Sequence, residues 1–204
     1  MSDPVVERRE HWQGVYAGKE VDQVGWHQTE LTVSLELIGQ AGLAAGAAVI
    51  DVGGGASTLA DSLHGLGYAV TVLDTTAAAI EAGRARLGDQ VNWLQADVTT
   101  WRPDTEFDLW HDRGVFHFLT KAAERAAYLT TLGAALKPGG HIVVGTFAMD
   151  GPERCSGLPV VRYDAARMGR ELGPGYALRA EAFDDHVTPG GMVQRFWFGL
   201  FRRV

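Results

Sequence analysis

The sequence feature that most constrains the fold is a run of three glycines between an apolar segment and a segment with helical periodicity. Gly53, Gly54 and Gly55 follow residues 47–52, which predict a short buried strand, and precede residues 57–66, which predict a helix. Glycines at such a turn let a ligand lie against the backbone, and the following helix directs free N–H groups toward it. The pattern therefore predicts a strand, a tight turn and a helix that together bind a ligand.

The same alternation of strand-like and helix-like segments continues along the chain, as is typical of a parallel sheet flanked by helices. The predicted parallel strands are residues 47–52, 69–73, 91–96, 107–111 and 141–147. The predicted helices are residues 30–43, 57–66, 76–87, 121–136 and 163–172. Residues 180–187 and 192–201 predict a hairpin around the turn 188–191. We therefore expect a doubly wound, Rossmann-like α/β sheet of seven strands, five parallel plus a C-terminal antiparallel hairpin, with helices on both faces.

The chain of 204 residues is expected to form a single domain, residues 1–204. Residues 30–204 supply the sheet core, and residues 1–29 form an aromatic-rich segment that predicts a flexible lid. Residues 137–140 predict a turn between a helix and a strand, because proline cannot extend the helix and paired glycines permit positive φ. Residues 149–158 predict a loop.

Composition argues against several kinds of binding partner. The net charge is −7 and the basic residues are scattered, whereas a protein that binds nucleic acid usually carries a basic stripe. One cysteine, no charged-then-apolar leader and no long apolar stretch predict a cytoplasmic protein that does not associate with a membrane. The seven histidines show no pair with the spacing of a zinc site, so we expect no metal. A small molecule is the expected substrate, and the oligomeric state stays open.

Three aspartates come at the ends of three successive predicted strands. Asp51 lies just before the glycine turn, Asp74 follows the second strand beside Thr75, and Asp97 follows the third strand beside Val98. Each aspartate alone could simply cap the next helix. Together they predict an acidic rim, in which Asp74 binds ribose hydroxyls and Asp97 accepts from an adenine amine.

The sign of this charge helps to select the cofactor. Asp51 would repel a pyrophosphate but attract a cofactor that carries an ammonium group and a sulfonium cation. Thr58 stands where the dinucleotide fingerprint requires its third glycine. These features favour S-adenosylmethionine (SAM), while an NAD(P)-binding oxidoreductase stays as an alternative.

The chain resembles the class I SAM-dependent methyltransferases over residues 30–204. The resemblance rests on the glycine turn with Asp51 and Ser57, on Asp74 and Asp97, and on the segment 136–140. It implies that the turn holds the methionine part of SAM, that Asp74 binds the ribose and that Asp97 binds the adenine amine.

A narrower resemblance, to the thiopurine, thiol and halide methyltransferases, lies in residues 110–116 together with Trp12, Tyr16 and Trp26. It implies that the aromatic residues form a lid on the cofactor and that Asp112 and Arg113 lie beside the substrate, with Asp112 also near the cofactor.

The candidate catalytic residues are Asp112, Arg113 and His111, which end or follow the fourth predicted strand. Methyl transfer mainly requires the nucleophile to be positioned and water to be excluded, so no fixed catalytic motif is expected. A hydroxyl or amine acceptor would benefit from a base, for which His111, His117 and His27 are candidates, although each could be structural. Thiol, carboxylate, hydroxyl, amine and halide acceptors all stay open. A SAM-binding regulator without turnover is a further alternative.

Overall fold

The structure is a computed structural model that describes residues 4–18 and 23–204. It contains the predicted seven-stranded sheet, in the order β3-β2-β1-β4-β5-β9-β8. The first five strands are β1 (Ala48–Val52), β2 (Ala69–Asp74), β3 (Asn92–Gln95), β4 (Phe107–Arg113) and β5 (Leu136–Phe147), and they pair in parallel. The antiparallel hairpin joins β8 (Tyr176–Val187) to β9 (Val193–Arg203), which pairs with β5. The predicted fold class is confirmed.

The described helices are α1 (Pro4–Gly18), α2 (Thr32–Gln40), α3 (Leu59–Gly65), α4 (Ala77–Leu87), α5 (Ala122–Ala135) and α6 (Ala165–Leu172). Successive residues of a strand point to opposite faces, so Val49 and Ile50 enter two different apolar clusters. The cluster on one face contains Leu132 of α5, and the cluster on the other contains Leu63 of α3. Helices on both faces therefore bury a sheet that is apolar on both sides.

Three segments differ from their predictions. Residues 137–140 form a bulge within β5, because Phe107 pairs with Leu136 while Leu109 already pairs with His141. Gly139, with φ +75°, permits this excursion without ending the strand. Residues 149–158 include the very short strand β6 (Arg154–Cys155) and the first residue of its antiparallel partner, β7 (Leu158–Pro159).

The third difference is in the amino-terminal segment, where α1 occupies most of what was predicted to be a flexible, glycine-containing lid. Gly14 lies inside this helix and Gly18 ends it. Residues 1–3 and 19–22 of the predicted lid lie outside the described residues. Among the described residues, none of the helices combines the length and the apolar character that crossing a bilayer requires.

Candidate active site

The main cavity lies at the carboxyl edge of the parallel strands and has a volume of about 900 Å³, including its open mouth. The ends of four neighbouring strands contribute Gly53, Asp74, Asp97 and Arg113 to its lining. A smaller adjacent cavity is lined by Asp51, Gly54 and Ser57, and it shares Gly53 and Arg113 with the first. The sheet thus gathers residues distant in sequence around one crevice, at the place where open α/β sheets bind ligands.

The glycine turn packs too tightly for side chains. A Cβ on Gly53 would overlap Val115, and one on Gly54 would overlap the carboxylate of Asp51. Gly53 also has φ +74°, a conformation that other residues rarely adopt. Gly55 lies behind the cavity wall, where its N–H donates to Asp74 over 3.3 Å. The turn therefore brings bare backbone to the cavity and positions two of the three acids.

Asp51 is buried beside this turn and has one oxygen without a partner. Its Oδ1 contacts Nδ1 of His111 at 2.7 Å, and Nε2 of that ring contacts the hydroxyl of Ser34 at 2.9 Å. Oδ2 of Asp51 has no hydrogen-bond partner among the described residues. A buried carboxylate oxygen without a donor is costly, so this position suits the ammonium group of a ligand. His111 thus holds Asp51 with one ring nitrogen and is itself fixed by Ser34 through the other.

Asp74 lies at the end of β2, buried and fixed by the turn that follows. Its Oδ1 accepts from the backbone N–H of Thr76 at 2.9 Å and from the hydroxyl of the same residue at 3.1 Å. Burial raises the pKa of Asp74 above its ordinary value. Each carboxylate oxygen accepts two bonds, so Oδ2, with Gly55 as its donor, can accept one more from a ligand. Thr75 lines the cavity beside it.

Asp97 also lines the cavity, and Arg8 of α1 forms an ion pair with it. Its Oδ1 accepts from the N–H and the hydroxyl of Thr99, while Oδ2 lies 3.1 Å from Nε of Arg8. Arg8 also contacts Glu124 at 2.8 Å. Because a carboxylate oxygen accepts two bonds, Oδ2 retains one position for an amine donor. The ion pairs fasten α1 over this end of the cavity, beside Val98.

Aromatic side chains close the cavity on the α1 side. The ring of Trp12 lies edge-on to Trp26, with centroids 5.4 Å apart, and edge-on to Phe118 at 4.9 Å. Tyr16 contacts Trp26 at 6.0 Å. All four rings line the main cavity. Trp12 and Trp26 are thus placed where the sequence predicts a lid, although a helix carries the first of them.

Asp112 is placed away from both cavities, contrary to the position expected from the sequence. Its carboxylate accepts from the N–H groups of Val115 and Phe116 and from the hydroxyl of Tyr128, at 2.9, 3.0 and 2.7 Å. The residue is fully buried, and burial raises its pKa to about 6. The side chain therefore fixes the loop after β4 instead of facing a ligand. Asp112 and His111, two of the three catalytic candidates, have protein partners at each of their polar atoms.

Arg113, the remaining candidate, is buried and lines both cavities. Its Nη1 donates to the carbonyl of Trp26 at 3.0 Å, while Nε and Nη2 have no partner among the described residues. Burial lowers its pKa to about 10, so the guanidinium stays charged at neutral pH.

The residues of the main cavity that sequence reasoning missed include Arg8, Cys155 and Phe196. Each comes from an element remote from the glycine turn in sequence, and no local motif marks it. Phe196 is buried and also lines the cavity. Among the described residues, no group of histidine, cysteine or acidic side chains is arranged to hold a metal ion.

Part of the chain matches a known protein family. Residues 49–140 match the sequence model of a family described as a methyltransferase domain. No curated protein is similar enough in sequence to count as a match. The matched residues include the glycine turn, Asp74, Asp97 and Arg113.

Solved structures with the same fold include three that cover nearly the whole chain. One comes from work on the conversion of a disulfide bond into a thioacetal group during echinomycin biosynthesis. It is 25% identical to this chain, with a TM-score of 0.72, and the match covers 96% of this chain and 92% of the other. The Burkholderia thailandensis 1,6-didemethyltoxoflavin N1-methyltransferase, solved with its substrate and S-adenosylhomocysteine (SAH), has 20% identity, a TM-score of 0.78 and coverage of 100% and 92%. The N-methyltransferase NodS from Bradyrhizobium japonicum WM9, solved with SAH, has 17% identity, a TM-score of 0.72 and coverage of 98% and 99%. Residues 49–140 therefore match a methyltransferase domain, and the chain has the fold of known methyltransferases.

Proposed function

We propose that this methyltransferase transfers the methyl group of SAM to a small-molecule acceptor bound in the main cavity. SAM is the cofactor, and the class is that of the SAM-dependent methyltransferases. The observation that carries the residue assignment is the unpartnered Oδ2 of Asp51, which lies in the same crevice as Asp74 and Asp97.

The residues fit the parts of SAM in order along this crevice. Asp51 and the bare turn would hold the ammonium end, Asp74 and Thr75 the ribose, and Asp97 with Val98 the adenine. Ser57 lines the ammonium end, although its hydroxyl already accepts from the N–H of Leu59 at 3.1 Å. Trp12, Tyr16 and Trp26 would cover the sulfonium, where the face of an aromatic ring attracts a cation.

SAM supplies a carbon already activated for displacement, so the protein's own task is to place the acceptor in line and exclude water. The aromatic wall and α1, fastened by Arg8, enclose the side of the cavity where that step would occur. His111 holds Asp51, and Asp112 holds the loop that carries Val115, so both would act by positioning other groups.

A small acceptor is supported by the lining of the cavity, where apolar and aromatic side chains surround a few polar groups, as is usual in small-molecule sites. The Burkholderia enzyme of the same fold is named for 1,6-didemethyltoxoflavin and was solved with that compound bound. A likeness to the thiopurine, thiol and halide branch, the cytoplasmic location and the single-domain organisation stay predictions from the sequence.

The rival cofactor, a nicotinamide dinucleotide, would bring a pyrophosphate to the turn beside Asp51. The carboxylate there is buried and already lacks a donor, so a second anion would raise its energy further. Calorimetric titration with SAM and with NAD(H) decides between the two. Heat only with the dinucleotide would end the proposal. The alternative of a regulator is tested by a tritiated-methyl screen across thiols, carboxylates, phenols and amines, in which tight SAM binding without any acceptor would favour it.

Replacing Asp74 with alanine tests the ribose assignment. We expect Asp74→Ala to weaken SAM binding by about 1–3 kcal/mol, because hydroxyl donors would lose their buried acceptor. Calorimetry measures the change, and Asp104→Ala is the matched control, since Asp104 is exposed in the loop before β4. An unchanged affinity in Asp74→Ala, with the fold intact by circular dichroism, would remove Asp74 from the ribose site.

A further inference from the structure

Three nitrogen atoms at one end of the main cavity are buried without a hydrogen-bond partner among the described residues. They are Nε and Nη2 of Arg113 and Nε2 of His117. Both side chains line the cavity. Buried polar groups are rarely left unpaired, because each costs free energy comparable to a lost hydrogen bond. A ligand group that accepts hydrogen bonds would satisfy them.

The protonation of His117 follows from its other ring nitrogen. Nδ1 faces the backbone N–H of Phe147, which donates to it over 3.4 Å, so Nδ1 carries no hydrogen. In a neutral imidazole the hydrogen then lies on Nε2. Burial, with a smaller contribution from the charge of Arg113, lowers the pKa of His117 to about 3, so the ring is neutral at physiological pH. His117 therefore presents an N–H donor to the cavity and has no free lone pair with which to remove a proton.

The two side chains flank the same apolar ring. The guanidinium of Arg113 lies 5.1 Å from the centroid of Phe196, and the ring of His117 stacks on that phenylalanine at 6.4 Å. Cys155 lines the same part of the cavity, and burial raises the pKa of its thiol to about 11, so it stays protonated. The charges of Asp51 and Asp184 act on Arg113, but neither carboxylate forms a hydrogen bond with its Nε or Nη2, so these donors stay free beside the apolar wall of the cavity.

We propose that Arg113 and His117 bind the reacting group of the methyl acceptor, and that this group arrives as an anion on an apolar body, such as a carboxylate, thiolate or phenolate. This inference rests on the proposed function. A lone pair of the anion would form the new bond to the methyl carbon, the carbon–sulfur bond would break, and its electron pair would stay on sulfur. An anion and a sulfonium cation then give two neutral products, and no proton has to be removed in the step.

The test uses three matched pairs of probes, each an anion beside its methylated, neutral form: benzoate and methyl benzoate, thiophenolate and thioanisole, 4-nitrophenolate and 4-nitroanisole. Each is titrated into the chain of 204 residues saturated with SAH, at a mildly alkaline pH where the first member is ionised and Arg113 is charged. We expect wild type to bind at least one anion about tenfold more tightly than its methylated partner, since hydrogen bonds to charged groups are stronger. Equal affinities within all three pairs would overturn the proposal. Failure of SAH itself to bind would instead count against the proposed function.

Three variants test which residues cause the preference for the anion over its methylated partner. We expect Arg113→Met to reduce this preference by about tenfold and His117→Phe to reduce it by about threefold, because each variant loses hydrogen-bond donors to the anion. His117→Gln is expected to retain it, since an amide can accept from Phe147 and donate to the cavity. A preference unchanged in both of the first two variants would overturn the proposal. If Arg113→Met fails to bind SAH, the two His117 variants still decide.

Two further measurements separate this role from others. If Arg113 binds the carboxylate of the cofactor, Arg113→Met would weaken SAH but not 5′-methylthioadenosine, which lacks that tail, and the assignment to the acceptor would fall. If His117 is a base, His117→Gln would slow tritiated methyl transfer to the preferred anion by about 100-fold while binding stays intact. We expect instead that His117→Gln slows the transfer by a few-fold at most, and by less than His117→Phe does.

Discussion

Asp112→Ala is expected to lower the free energy of unfolding by about 3 kcal/mol, although Asp112 touches neither cavity. Its carboxylate accepts from two backbone N–H groups and from the hydroxyl of Tyr128, all in the core. Alanine would leave these buried donors without an acceptor, and each such group costs about 1–3 kcal/mol, offset in part by removal of a buried charge. Urea denaturation measures the loss. A change within about 0.5 kcal/mol, the usual range for surface substitutions, would contradict the structural role.

Asp112→Asn provides the matched control and a pH test. Burial raises the pKa of Asp112 from 3.8 to about 6 in the folded chain. Between these values the folded chain holds a proton that the unfolded chain has lost, so the stability of wild type falls as pH rises from about 4 to about 6. Asparagine does not titrate, so the difference in unfolding free energy between the two proteins should change by about 3 kcal/mol across this window. A difference that is constant with pH would show that the carboxyl group is not desolvated.

Much of the fold is predictable because local sequence patterns determine it. The apolar runs and glycine turns place every strand of the large sheet, and the acids Asp74 and Asp97 line the cavity because parallel strands end at one edge. The turn predicted at residues 137–140 was wrong for a local reason. The pairing of β4 with β5 resumes after the bulge, and proline and glycine signal an interruption without telling whether the strand continues beyond it.

The orientation of Asp112 and Arg113 depends on information that a short motif does not contain. Neighbours on a strand point to opposite faces, so the two side chains cannot both face the same ligand from regular β-structure. Asp112 shares its face with Trp110 and meets Tyr128 of α5, whereas Arg113 shares its face with His111. Arg8 and Cys155 reach the cavity only through the packing of α1 and the short hairpin. Such contacts are tertiary, and no local periodicity encodes them.

Gly54→Ala is expected to weaken SAM binding by about 100-fold. An added Cβ would overlap Oδ2 and Cγ of Asp51, which is buried and held at 2.7 Å from His111. The carboxylate would have to move away from the turn, and a hydrogen bond to a charged group contributes about 1.5–3 kcal/mol, equivalent to about ten- to a hundredfold in affinity. Calorimetry with SAM measures the effect. Gly39→Ala in α2 is the control, since its Cβ would meet no neighbour within 4 Å.

The double variant Asp51→Ala/Gly54→Ala tests whether the clash acts through Asp51. Once the carboxylate is absent, the alanine at position 54 has nothing to displace, so the two losses in binding free energy should not add. The expected affinity of the double variant is therefore close to that of Asp51→Ala alone. Additive losses would mean that Gly54 is required for direct contact between the backbone and the cofactor. In that case the role of Gly54 would not be to leave room for the carboxylate of Asp51.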